Sequence, residues 1–142
     1  MATGLIDDDR FLAHDTGPRH PEQPARLNAI RRALAARSWF GELLHCAAVP
    51  ADIAVLESSH SLAYIRRAAQ ACAAGAPYLD TPDVVISALS YDVAVLAAGA
   101  PLVLADALVQ GQISTAKPLL ICPWARASAS TSGAPAASTA TS

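Results

Sequence analysis

The chain has 142 residues, 53% of them hydrophobic, and a formal net charge of −2 at pH 7. That is enough for one domain with a buried core, it argues against disorder throughout, and it offers no global basic field for nucleic acid or an anionic membrane. Asp7, Asp8 and Asp9 stand where a secretory signal would need a basic start and an apolar run. The longest uncharged apolar run, residues 93–105, falls short of the ~20 apolar residues of a membrane helix and contains Pro101. A cytoplasmic protein without membrane or nucleic-acid contact is therefore expected.

Thr3-Gly4-Leu5-Ile6, followed by the aspartates, predicts a first strand ending at a polar turn. Residues 14–27 come next, reading His-Asp-Thr-Gly-Pro-Arg-His-Pro-Glu-Gln-Pro-Ala-Arg-Leu. Pro18 and Pro21 fix their own φ and push the residues before them out of the helical region, so the stretch is a stiff loop. Pro24 stands where a helix can begin. Histidines, acids and arginines held on a stiffened loop are either a binding element or a plain polar entry loop.

Leu27, Ile30 and Leu34 recur at helical spacing over residues 24–38 and predict an amphipathic helix, with Arg26, Arg31, Arg32 and Arg37 on a solvated face. Without interleaved aromatics those arginines make no nucleic-acid patch. A second strand is predicted over residues 43–49, then a helical turn over residues 53–57 capped by Asp52. A helix over residues 62–74 should be capped by Ser61, stopped by Gly75, and buried along Leu62, Ile65, Ala69 and Cys72. Residues 76–83 form a polar loop carrying Tyr78, Asp80 and Asp83. Residues 88–109 predict a helix that is apolar on nearly every side and so buried, with a bend or break near Gly99-Ala100 caused by Pro101.

Cys46, Cys72 and Cys122 have no CxxC spacing and are expected to be small buried hydrophobes, not a disulfide framework, a zinc knuckle or a nucleophile. No pair among His14, His20, His45 and His60 has the i, i+4 spacing of a helical metal site, so no metal ligand is assigned.

Four stretches in order resemble the N-terminal part of the histone deacetylase family, particularly its bacterial acetoin-utilisation and acetylpolyamine amidohydrolase members. They are Thr3-Gly4-Leu5-Ile6 with the acidic run; His20-Pro21-Glu22-Gln23-Pro24 with Arg26-Leu27; Ser59-His60-Ser61 with Tyr64-Ile65; and Asp83 through Ser87, with Ser90, Tyr91 and Ala97-Ala98-Gly99. Together they cover roughly the first 111 residues. The resemblance implies an α/β class, a partial arginase/deacetylase-like three-layer fold with an incomplete parallel sheet. It places His20, Pro21 and Glu22 on the rim loop of a substrate tunnel. Asp83 aligns with the aspartate that holds the substrate's backbone amide at the tunnel mouth. The family has threonine after that aspartate where this chain has Val84, and Asp80-Thr81 is the rival placement; either aspartate can equally be a turn cap.

The complete family carries zinc at the base of the tunnel, with paired histidines as general base and acid and a tyrosine that polarises the acetyl carbonyl. No catalytic residue and no metal ligand of this set can be assigned here. Pro118-Leu119-Leu120-Ile121 looks like the strand that leads to the histidine pair, but Cys122-Pro123-Trp124 follows, and no histidine occurs after His60. Residues 1–122 are thus expected to be the N-terminal part of a deacetylase-like domain, and 123–142 a disordered Ala/Ser/Thr tail. The functional expectation is the front section of a zinc-dependent amidohydrolase acting on an acetylated small molecule or peptide, truncated or frame-shifted and inactive alone. The alternative is a non-catalytic binding or assembly module derived from that fold.

Overall fold

A computed structural model describes residues 2–119. Strand β1 (Thr3–Asp7) leads into a 3-10 turn, Asp9–Ala13. Helix α1 (Pro24–Ala35), strand β2 (Leu44–His45), and helices α2 (Ile53–Glu57), α3 (Leu62–Ala73) and α4 (Ser90–Val109) follow, and strand β3 (Thr115–Leu119) ends the described chain. The strands form one parallel sheet in the order β2-β1-β3. Residues 3–7 pair in step with residues 115–119, and Gly4 and Leu5 meet Leu44 and His45. The chain therefore leaves β1 on one side and returns on the other. In an open α/β sheet the ligand crevice lies beyond the carboxyl ends of the strands at such a reversal, here the ends of β1 and β3.

The α/β class and the incomplete parallel sheet agree with the expectation. The main core joins Ile6, Phe11, Leu27 and Ile113 to one side of α4, formed by Val93, Leu96, Ala97, Ala100, Leu104 and Ala107. A second cluster sets Ala68 and Cys72 of α3 against Leu79, Val84, Ile86 and Ala94.

Several local readings need correction. The second strand is two residues long, not seven: after the Cys46 N–H donates to Leu5 O at 2.8 Å the pairing with β1 stops, and the Ala51 N–H donates to Val95 O of α4. Leu27 alone is fully buried on α1, while Ile30 is exposed. Arg31 is not on a solvated face: its guanidinium binds Asp7 at 2.5 Å and Asp9 at 2.8 Å, tying α1 to the carboxyl end of β1. The Asp52 side chain makes no capping bond, whereas Ser61 accepts from the Tyr64 N–H at 3.2 Å as predicted. The α3 stripe runs through Ala68 instead of Ala69. Gly75, at φ 69°, ends α3 as expected, with its N–H on Cys72 O and the next N–H on Ala71 O. Cys72 is buried and Cys46 partly so.

Helix α4 begins at Ser90 and passes through Pro101 without a break; Pro101 is exposed, so its ring does not crowd the core. Nor is α4 buried all round, since Leu102, Leu108 and Val109 are exposed. Its length and apolar composition would suffice to cross a membrane, a property shared by core helices, and its inner face is packed into the core. The expected strand residues Leu120 and Ile121, Cys122, and the 123–142 tail lie outside the described residues.

Gly99 sets how close α4 can come to the segment after β2. A Cβ there would lie 1.9 Å from Val49 O and 2.7 Å from Ala51 N. The close approach lets the Ala51 N–H donate to Val95 O at 3.0 Å. Because the obstacle is backbone, it cannot rotate away. Gly99→Ala is expected to cost about 3 kcal/mol or more in urea unfolding. Gly41→Ala, whose added Cβ meets nothing within 4 Å, should stay within about 0.5 kcal/mol.

Candidate functional site at the amino end of the long helix

The loop carrying His20, Pro21 and Glu22 leaves the turn after β1 and is stiffened from within. Asp15 Oδ1 accepts the Gly17 N–H at 2.8 Å, and Thr16 Oγ1 donates to Glu22 O at 3.3 Å. The Glu22 N–H donates to His20 Nδ1 at 3.1 Å. His20 Nδ1 is thus occupied as an acceptor, and Nε2 is the ring's other polar atom. Pro21 is exposed; His20 and Glu22 are half-buried. Thr16, Gly17, Pro18, Arg19 and His20 line a shallow hollow of about 330 Å³.

The second loop joins α3 to α4. Its two limbs are zipped by Leu79 N–H to Val84 O at 2.9 Å and Ile86 N–H to Pro77 O at 3.1 Å. Leu79, Val84 and Ile86 are buried, which fixes the base of the loop in the second core cluster. At its tip the rival aspartates have different fates. Asp80, at φ 62°, gives both carboxylate oxygens to Arg67, at 3.1 and 2.8 Å. Asp83 is exposed, with no ion pair among the described residues.

Both loops hang from the first turn of α4. His14 is fully buried, and its Nδ1 lies 2.7 Å from Ser90 Oγ. Ser90 Oγ also accepts the Ser87 N–H at 2.8 Å and sits 3.0 Å from Ser87 Oγ. Ser87 and Ser90 are tied by a reciprocal pair of bonds just ahead of α4, the Ser90 N–H donating to Ser87 O at 3.0 Å and the Ser87 N–H to Ser90 Oγ. Ser87 Oγ in turn takes the Asp15 N–H at 3.4 Å. One buried polar node thus fixes the root of the His20 loop and the exit of the Asp83 loop. Sequence reasoning treated His14 as part of a stiff polar loop and as a candidate metal ligand, and missed this role. The available signal was Ser-x-x-Ser at the start of an apolar helix.

The other histidines lie elsewhere. His45 meets Phe40 edge-on at 5.5 Å, and His60 stacks on Tyr64 at 5.3 Å. Among the described residues no group of three or more His, Cys, Asp or Glu side chains is placed to hold a metal ion. The donors present do not fit a zinc site. An apolar cavity of about 520 Å³ lies between the 50–56 segment and α4, lined by Arg10, Pro50, Ile53, Leu89, Tyr91 and Asp92 among others. Neither Asp83 nor His20 borders it.

Burial, followed by the charge of His20, lowers the His14 pKa from 6.5 to about 4, against a smaller raising effect of Asp15. The neutral ring is the folded form, and the unfolded chain takes up the proton first. His14 therefore contributes fully above pH 6.5, and that contribution is lost as pH falls from 6.5 towards 4, for a total of roughly 3 kcal/mol. Urea unfolding between pH 7.5 and 4 should show this loss, and His14→Gln should flatten it. An equally steep loss in the variant would contradict the assignment.

Comparison with known proteins agrees with this geometry. The histone deacetylase domain family matches residues 20–129, more than half of the chain. An uncharacterised Synechocystis protein, slr0245, is 39% identical over 97 residues, which cover 66% of this chain and 31% of that protein. The crystal structure of the HDA15 HD domain superposes with a TM-score of 0.76 at 26% identity, covering 84% of this chain and 35% of that one. The chain thus spans about a third of the length of these two proteins. With the parallel sheet and the two loops gathered at the start of α4, these matches show that the chain belongs to the histone deacetylase family.

Proposed function

We propose that this chain is the substrate-mouth section of a zinc-dependent deacetylase-type amidohydrolase acting on acetyl-lysine or acetylpolyamine amides, and that it is inactive by itself. The observation that carries this reading is the contrast between the two aspartates. Asp80 is engaged by Arg67, and Asp83 is presented to solvent on a loop whose base is buried. A carboxylate held in this way accepts charge-assisted hydrogen bonds from the N–H groups of an extended substrate. Such bonds hold the amide in one orientation, which lowers the entropic part of the barrier. The His20–Glu22 segment, rooted at the same start of α4, is the second part of the proposed rim.

In the whole family the metal activates water and polarises the acetyl carbonyl. The described residues offer no donor set for it, and residues 120–142 contain no His, Asp or Glu. No step of the hydrolysis is therefore assigned to this chain. Its part is to bind and orient.

The test is fluorescence-polarisation binding of an Nε-acetyl-lysine peptide to the full chain. Asp83→Asn should weaken binding about tenfold, the worth of a hydrogen bond to a charged group, and leave the thermal midpoint unchanged. Zinc-supplemented chain should not release acetate above background. Unaltered binding by Asp83→Asn would remove the substrate role, and steady acetate release would remove the claim of inactivity.

A further inference from the structure

We propose that Arg67 is a positioning residue for the substrate carboxylate, selecting through Asp80 the loop conformation that presents Asp83. The proposal rests on the reading of Asp83 given above. Buried Leu79 and Val84 fix the two ends of a short excursion, residues 80–83, and leave the direction of its tip undetermined. Asp80 decides that direction. It is the one non-glycine residue at positive φ among the described residues, at 62°. In that conformation it lets the Thr81 N–H reach Leu79 O at 2.7 Å and the Val84 N–H reach Thr81 O at 3.0 Å. An aspartate tolerates the left-handed region at some cost, so something must hold it there.

Arg67 supplies the hold. Its Nε and Nη2 bind the two Asp80 oxygens at 3.1 and 2.8 Å, a two-pronged geometry that fixes the carboxylate's orientation as well as its distance. The guanidinium is itself aligned by the Tyr64 ring, whose centroid lies 5.1 Å from Arg67 Cζ, and Tyr64 stacks on His60 in turn. His60, Tyr64 and Arg67 thus form a ladder on and just before α3 that ends on the turn beside Asp83. Both partners of the ion pair are about half exposed, 54% for Arg67 and 44% for Asp80. An exposed pair of this kind adds little to folding stability. Its consequence is the choice between tip conformations, which a global unfolding measurement does not register.

The test is a double-mutant cycle on the full chain, read by binding of the same Nε-acetyl-lysine peptide. Asp80→Asn keeps a residue that tolerates positive φ and removes the charge, and Arg67→Met keeps the aliphatic stem. Each should weaken binding about fivefold, and neither should weaken it further in the Asp83→Asn background. The thermal midpoint should stay where it is. Arg67→Lys, which keeps the charge without the fork, should restore only part of the affinity. If Asp83→Asn weakens binding and Arg67→Met does not, the Asp83 reading stands and the positioning role is wrong. The role is equally wrong if Arg67→Met costs as much with Asp83 already replaced. If the peptide does not bind, or Asp83→Asn binds like the parent, the Asp83 reading fails and this proposal fails with it.

Discussion

A hydrogen bond between His14 and Ser90, fully buried, organises the end of the molecule where binding is expected. Burying an imidazole is unfavourable where its polar atoms lack partners; here Nδ1 is satisfied by the serine that opens α4, while Nε2 is buried without a hydrogen-bond partner among the described residues. The same serine therefore does two jobs. It ties the exit of the Asp83 loop to the start of α4 by taking the Ser87 N–H, and it anchors the root of the His20 loop. The Asp83 loop feeds into Ser87, so the placement of both loops reduces to the placement of one helix start.

That start is fixed by what happens lower on α4. Gly99 lets the helix backbone touch the 49–51 segment, and the Ala51 N–H bonds to Val95 O. Further along, Leu104 and Ile113 lie close to Gly4 of the central strand. The helix is thus held against the first two strands and leads through Ile113 into the third. From within α1, Arg31 grips Asp7 and Asp9 and ties that helix to the carboxyl end of β1. These contacts act on the same few backbone segments, which is why short motifs far apart in sequence converge.

Features governed by local chemistry were legible in the sequence. Pro24 opens α1, Ser61 caps α3 and Gly75 ends it, since each depends on one residue's own geometry. The resemblance carried by His20-Pro21-Glu22 and by Asp83 through Ser87 led to the right family. Features that depend on distant partners were not legible. Ile30 has the spacing of a core residue and is exposed, because only one turn of α1 faces the core. The outer face of α4 is as apolar as its inner face, so periodicity could not separate them. Pro101, on the exposed side of α4, leaves the helix continuous, against the break its missing N–H predicts. Asp80 and Asp83 are indistinguishable by pattern; only the position of Arg67, thirteen residues before Asp80, tells them apart.

The chain belongs to the histone deacetylase family, and the part proposed for it there is to hold a substrate. The most direct check is residue-resolved hydrogen exchange on Ser90→Ala. If one buried node supports both loops, the amides of Asp15 and Glu22 and those of Leu79, Val84 and Ile86 should all exchange faster, while the Ala51 amide bound to α4 stays protected. Faster exchange in one loop alone, or in neither, would show that the two are held independently and would contradict the account.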